Sequence, residues 1–414
     1  MSSSPTAEAV AERVARQSYG KLVAFLAARS RDVASAEDAL ADAFAAALQH
    51  WPRTGPPDNP EAWLLTVARR KQIDAARRQQ SGMLAEPHLL LIAEDLAAAE
   101  AEPATIPDQR LALMFACAHP AIESSARTPL ILQTVLGFDA ATIASAFLVS
   151  PDAMSQRLVR AKAKIKTAGI PFEIPEPEAL PERLDDVLDA IYACFSDGWA
   201  DAAGSEPARH QHANEAIWLG QLVVSMLPGE PEALSLLALM LYAQARRVAR
   251  RDDAGRYVPL SEQNLAVWES TMIAQADALV REAGRKDGLG RFQLQAAIQA
   301  VHAARLWTGR TDWLAIEQLY DALWAITGSS VVAINRAVAI AEARGLHEGM
   351  EALESVATNN QVLGYQPYWA AKARLLVGCG NHDAAIEAYT IAFGLESDPA
   401  VRDFLQRQKL AIRR

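Results

Sequence analysis

Cysteine is scarce in this chain: Cys117, Cys194 and Cys379 are the three among 414 residues. They are far apart and odd in number, which excludes a disulfide framework and a CxxC metal site. Aromatic residues make up 7%, and few stretches alternate in the β-branched manner of strands, so a sheet-built core is not expected. No run of 18 or more apolar residues occurs, and the N-terminus has no signal-like apolar core. A membrane span and export are therefore not expected, and the chain reads as cytoplasmic. A nucleophile elbow, a phosphate-cradling glycine loop, an HExxH pair and a clustered carboxylate pair are also missing. The chain thus reads as a non-enzyme with no cofactor and no metal. What it has in abundance is alanine, which points to an all-α fold of two or three domains.

The formal charge of -10 is unevenly spread. Residues 1–170 hold 18 Lys+Arg and 18 Asp+Glu, so the whole deficit lies in the second half. A neutral module with local basic patches can bind nucleic acid, whereas an acidic half repels phosphate and suits protein contacts.

The chain is organised around residues 128–169. An apolar helix ends at Gly137, a second is expected from about Asp139 to Leu148, and Ser150-Pro151-Asp152 starts a third. The serine hydroxyl can cap a free N–H, proline fits the first helical position, and aspartate suits the positive first turn. Met154, Leu158, Ala161 and Ile165 form one apolar stripe at helical spacing, with Gln156, Arg157, Arg160 and Lys164 on the other side. This pattern fits a helix-turn-helix, whose second helix enters the DNA major groove. It also fits a helical bundle with a solvated basic face.

Toward the N-terminus, helices are expected at about Glu8–Ala28 and Ser35–Leu48. Ala36, Leu40, Ala43, Phe44 and Ala47 form the buried stripe of the second, and Asp38 and Asp42 point away from it. Four prolines in residues 52–60 imply a rigid loop. Asn59 caps the next helix, which carries Trp63 and the run Arg69, Arg70, Lys71, Arg77 and Arg78 against one Asp74. Guanidinium groups in such a run suit phosphate contact, and Trp63 fits either a core position or a stacking surface. Residues 81–106 read as a mobile linker. Cys117 with His119, and His210 with His212 and Glu215, lack the spacing of a metal site.

After a proline-rich break at 170–181 helix follows helix, and Arg246, Arg247, Arg250 and Arg251 read as polar contacts within the domain, as do Asp197 and Trp199. From 290 onward Gly309, Gly345 and Gly380 recur at spacings of 36 and 35 residues, close to the period of tetratricopeptide repeats.

Several long stretches carry a family resemblance. Residues 36–52 and 57–78 (AEDALADAFAAALQHWP and PDNPEAWLLTVARRKQIDAARR) resemble region 2 of the extracytoplasmic-function type of bacterial RNA polymerase sigma factor. PDQRLALMFACAHPAI and the segment 146–172 resemble region 4. IYACFSDGW, residues 212–250 and the segment 290–323 resemble the long helical, tetratricopeptide-like extension of one subfamily. The wording departs from the family pattern at Gln79-Gln80 and at Trp218, where basic residues are usual.

The resemblance implies a region 2 module at 1–80, a linker at 81–106, a region 4 helix-turn-helix at 107–172 and a helical extension at 182–414. Core RNA polymerase and promoter DNA would be the partners, with a regulatory protein on the repeats. Asp38 and Asp42 would belong to the core-binding surface. Trp63, Arg69, Arg70, Lys71, Arg77 and Arg78 would lie at the -10 element, and Gln156, Arg157, Arg160 and Lys164 at the -35 element. The other reading of the same chain is a repeat-based protein adaptor without promoter function.

Overall fold

The computed structural model of the chain describes residues 6–80, 108–147, 149–200, 207–286, 288–357 and 360–412. The linker expected at 81–106 lies outside them. Regular structure among the described residues is helical, apart from one isolated antiparallel bridge between Arg251 and Tyr257. None of the described helices is long and apolar enough to cross a membrane. The chain divides into two compact units, Met1–Cys194 and Phe195–Arg414.

In the first unit α1 (Ala7–Ser30), α2 (Val33–Thr54) and α3 (Pro60–Gln80) pack on one another. Thr6 and Asp32 cap α1 and α2, their side chains accepting from the backbone N–H groups of Ala9 and Ser35. On α2 the expected stripe is buried at Ala36, Leu40, Ala43 and Ala47 and half-buried at Phe44, while Asp38 and Asp42 are exposed.

The proline loop is shorter than expected, because α2 runs through Pro52 to Thr54. Pro52 forfeits one helical hydrogen bond, but its neighbour Trp51 is 1% exposed and packs edge-on against Trp63, with 5.4 Å between ring centroids. That burial holds the last turn in helical form, and Gly55 N–H closes it on Trp51 O at 2.9 Å. Asn59 then caps α3 as expected, its Oδ1 accepting from Ala62 N at 3.1 Å.

The remainder of this unit is α4 (Arg110–Cys117), α5 (Ser124–Thr134), α6 (Ala140–Ala146), α7 (Pro151–Ala168) and the start of α8 (Pro181–Ala200). All eight residues of α4 are buried, and both α4 and α5 pack on α1. The approach is closest at Gly20, where a Cβ would stand 1.9 Å from the backbone oxygen of Val135. The stretches 1–80 and 107–172, which read as separate modules, are therefore packed backbone to backbone in one body. Asp186 on α8 ties that helix to the start of α5, accepting from Arg127 and from the Thr128 hydroxyl, each at 3.3 Å.

The second unit continues from the end of α8 through α9 (Pro207–Met226), α10 (Pro231–Ala245), α11 (Ser270–Ala283), α12 (Arg291–Ala303) and the short α13 (Arg305–Thr308). It ends with α14 (Trp313–Thr327), α15 (Ser330–Ala343), α16 (Leu346–Val356), α17 (Asn360–Leu363), α18 (Gln366–Gly378), α19 (His382–Leu395) and α20 (Pro399–Ile412). Helices pack mostly on their neighbours in sequence. The apolar clusters follow one another along the chain, one around Leu294, Ile316 and Leu323, the next around Ile334, Leu353 and Tyr368, and a third around Ala385, Tyr389 and Leu405. Gly309, Gly345 and Gly380 each lie between helices, at φ values of 70°, 143° and 75° that favour glycine.

Helix does not follow helix throughout this unit. Residues 246–269 form 3-10 turns and extended pieces, because Asp252 organises a tight turn there. Its Oδ1 accepts from Ala254 N (3.0 Å) and Arg256 N (2.9 Å), and Gly255 takes φ 74°. The arginines of this segment make the polar contacts expected of them. Arg247 and Arg250 donate to Gly198 O (3.1 Å) and Trp199 O (2.5 Å), two carbonyls in the last turn of α8. Arg250 also lies 4.3 Å from the Trp199 ring centre, and Arg251 pairs with Asp398 at 2.5 Å. Arg246 donates to Gln299 Oε1 at 2.6 Å, and burial with the neighbouring Arg250 lowers its pKa to about 10.

Two close approaches yield stability predictions. Substituting Gly20→Ala places a methyl group on a backbone oxygen and is expected to cost about 1–3 kcal/mol, measured by urea denaturation of the full chain. At the start of α12, Gly290 has no side chain to cap the helix, and Glu232 from α10 does so instead. Its two carboxylate oxygens accept from Phe292 N and Gln293 N, both at 3.0 Å. Glu232→Ala is expected to lose roughly 1–2 kcal/mol and to speed amide exchange at Phe292 and Gln293, with Glu232→Gln retaining part of the cap.

Candidate nucleic-acid interface

The helix-turn-helix geometry is built from local rules. Gly137, at φ 74°, ends the α5 segment. Asp139 caps α6, accepting from the Thr142 backbone (2.8 Å) and hydroxyl (2.7 Å), and those hydrogen bonds hold its carboxyl below the ordinary range. Ser150 caps α7 through Ala153 N at 3.3 Å, with Pro151 in the first turn. At the far end Gly169 is left-handed, and Ile170 N returns to Ile165 O at 3.1 Å.

On α7 the stripe Met154, Leu158, Ala161 and Ile165 is buried against α5 and α6. Gln156, Arg160 and Lys164 recur at i, i+4 and i+8 and are exposed, giving one polar outer edge. Arg157 stands apart from them. It is half-buried and donates to Ser125 O at 3.2 Å, tying α7 to the start of α5.

In the helices α1–α3, Arg70 and Lys71 are exposed, and Lys71 Nζ lies 3.5 Å from Asp42 Oδ2. Arg69 does not share their face. It is half-buried, with its guanidinium 4.9 Å from the Phe25 ring centre, because Phe25 on α1 offers a π-face where α3 crosses it. Trp63 is half-buried between Trp51 and His50, the His50 ring stacked at 6.2 Å. Asp38 stands exposed one turn before Asp42. The side chains of Arg77 and Arg78 lie outside the described residues.

A second set of charges was not singled out from the sequence. Lys162 Nζ meets Glu37 Oε2 at 2.5 Å, with side chains only 13% and 15% exposed, and Lys166 Nζ meets Asp32 Oδ2 at 2.7 Å. Burial raises the Glu37 carboxyl above its usual range, against the opposing pull of Lys162. Burial and the charges of Glu37 and Asp38 likewise push the Tyr19 hydroxyl up. The one local signal was position, since Glu37 follows buried Ala36 and Lys162 follows buried Ala161.

Burial pushes the nearby Cys117 thiol up to about 12, and its sulfur lies 3.5 Å from the Thr134 hydroxyl, so it is an unreactive core residue. His212 Nδ1 lies 2.8 Å from Asp197 Oδ2, while the His210 side chain lies outside the described residues. Among the described residues no group of three or more His, Cys, Asp or Glu side chains is placed to hold a metal ion.

Comparison with known proteins agrees with this layout at its N-terminal end. Residues 14–82 match the sigma-70 region 2 family, and residues 183–284 match a family of unknown function, DUF6596. The uncharacterized protein R00370 of Rhizobium meliloti is 36% identical over 398 residues, covering 95% of this chain and 92% of that protein. No solved structure matches. The chain belongs to one family with this Rhizobium meliloti protein, and its region 2 makes it a bacterial sigma-factor-like protein.

Proposed function

We propose that the protein is a sigma factor of the extracytoplasmic-function type, which binds core RNA polymerase and directs it to promoters. The observation that carries this reading is the pairing of a sigma-70 region 2 at residues 14–82 with a capped helix-turn-helix at 124–168. Its last helix buries one apolar stripe and turns Gln156, Arg160 and Lys164 outward. Arginine and glutamine can each make bidentate contacts to base edges, and lysine suits phosphate. On this reading α7 meets the -35 element. Arg70 and Lys71, with Arg77 and Arg78 further along α3, meet the -10 side, and Asp38 and Asp42 meet a basic surface of the core enzyme.

Trp63 and Arg69 then act from within. Trp63 braces the start of α3 on Trp51, and Arg69 fixes α3 against Phe25. Arg157 sets the angle of α7 through Ser125. The second unit catalyses nothing in this scheme and serves as a tetratricopeptide-like platform for a regulatory protein. Exposed Trp307, Leu314, Trp324 and Ile326 on its surface support that role.

The test is a pull-down of the purified full chain with core RNA polymerase, followed by transcription from its own upstream promoter region. Promoter-dependent transcript is expected, and no binding to core polymerase overturns the reading in favour of a protein adaptor. Within that assay the double substitution Arg160→Glu/Lys164→Glu is expected to abolish promoter-specific transcript while leaving core binding intact. The double substitution Asp38→Lys/Asp42→Lys is expected to do the reverse at the first step, weakening core capture at least tenfold. Loss of core capture in the Arg160/Lys164 variant, or undiminished capture in the Asp38/Asp42 variant, would show that the wrong face was assigned.

A further inference from the structure

The sequence after residue 170 carries the whole acidic surplus of the chain, yet the enclosed arginines of the second unit are held mostly by neutral oxygens. Arg246 donates to the Gln299 amide oxygen and Arg250 to Trp199 O. Arg305 donates to Leu260 O at 3.1 Å and to Ser261 O at 3.3 Å. Arg251 has a carboxylate partner in Asp398, but its Nε and Nη1 are buried without a hydrogen bond.

These cations converge. Arg246 and Arg250 share the Trp199 ring, at 5.8 Å and 4.3 Å from its centre. Arg246 also reaches α12 at Gln299, and His302 and Arg305 follow from there at three-residue intervals, which places them along one side. Burial and the charges of Arg246 and Arg305 hold the His302 imidazole down to about 4. His302 is therefore neutral at physiological pH, and its ring lies edge-on to Trp313 at 5.6 Å.

Such a cluster is costly by itself. Each guanidinium is partly stripped of water near a like charge, and a neutral oxygen returns less than an anion would. A neutral donor could hold a carbonyl or an amide without that repulsion. Guanidinium forks are instead the groups that take carboxylate and phosphate in bidentate fashion. Arg246, Arg250 and Arg305 are half-buried, so solvent still reaches them. A small molecule can follow that route, whereas a duplex or a folded protein surface would meet only the exposed rim of the cluster.

We propose that Arg246, Arg250 and Arg305, with His302 as a neutral hydrogen-bonding group, form a binding site for a small oxyanion of two or more negative charges. A phosphate ester and a di- or tricarboxylate share that chemistry. The anion supplies the counter-charge and replaces the neutral acceptors with charge-assisted hydrogen bonds. The site lies within the second unit and stands whether or not the chain is a sigma factor. It makes that unit a receptor for a small metabolite.

The test is thermal unfolding of the full chain at neutral pH in pyrophosphate or citrate, against sodium chloride of equal ionic strength. At a hundredfold excess over Kd, the parent protein is expected to gain about 5 °C in one or both oxyanions. Both salts also stabilise proteins by exclusion from the surface, so each variant is compared with its own value in chloride. Arg246→Gln removes the central charge and is expected to lose most of the gain, while unfolding in chloride no earlier than the parent. Arg305→Gln, at the edge of the cluster, is expected to lose part of it. Arg285→Gln, at an exposed arginine outside the cluster, is expected to keep it whole. Equilibrium dialysis with the radiolabelled anion is expected to find one site per chain, weakened at least tenfold by Arg246→Gln.

No gain in either oxyanion overturns the site, as does a gain of equal size in the parent and in Arg246→Gln. Earlier unfolding of Arg246→Gln in chloride with the full gain retained shows a purely structural arginine and also overturns it. If Arg246→Gln does not fold, Arg305→Gln decides by the same comparison, and dialysis that finds no bound anion on the parent overturns the site without any variant. Retention of the anion response by a chain that fails to bind core polymerase would remove the sigma-factor reading and leave this site standing.

Discussion

Helices as short as α6, α4 and α5, with 7, 8 and 11 residues, are marginal in water by themselves, because each must repay a costly nucleus with few hydrogen bonds. Their order comes from burial. The eight residues of α4 are all buried, and the four apolar positions of α7 close over α5 and α6. Gly20 permits this by letting α1 come within backbone contact of Val135, where a side chain would hold the two apart. The first unit is therefore one core shared by two modules. Separating them would expose the apolar faces of α1, α4 and α5 to water.

The ion pairs of this unit differ in weight according to water access. Lys71 and Asp42 are 47% and 60% exposed, and a pair so well hydrated contributes little to stability. Lys162 and Glu37 carry the same formal charges in a setting that excludes most water. There the attraction is less screened and the cost of an unpaired partner is greater. The exposed pair contributes little to the fold, whereas the buried one fixes α7 against α2.

In the second unit the charged groups serve backbone geometry. Arg247 and Arg250 satisfy carbonyls at the end of α8, and Glu232 satisfies N–H groups at the start of α12. Both arrangements put a charge where a helix end has the opposite partial charge. They connect elements about fifty to sixty residues apart, and so lock the order of the stack beyond what neighbour-to-neighbour packing supplies.

How much of this was legible in the sequence follows from the range of each interaction. The stripe on α7, its Ser150 cap and the Asn59 cap are set within about three helical turns, where spacing alone determines which side chains share a face, and the recurrence of Gly309, Gly345 and Gly380 is a regular spacing visible along the chain. The all-α class and the placement of Asp38 and Asp42 away from the buried stripe of α2 follow from the same periodicity. Pro52 misled because its local preference for ending a helix was outweighed by the burial of Trp51 against Trp63. Arg69 turns away from the exposed basic run because Phe25, more than forty positions earlier, offers it a ring. The union of Lys162 with Glu37 spans 125 residues, and no periodicity reports on it. Helix type and helix face were fixed by the chain's own short-range geometry. Which face meets which was decided only in the tertiary structure, because packing selects among surfaces that local spacing leaves equivalent.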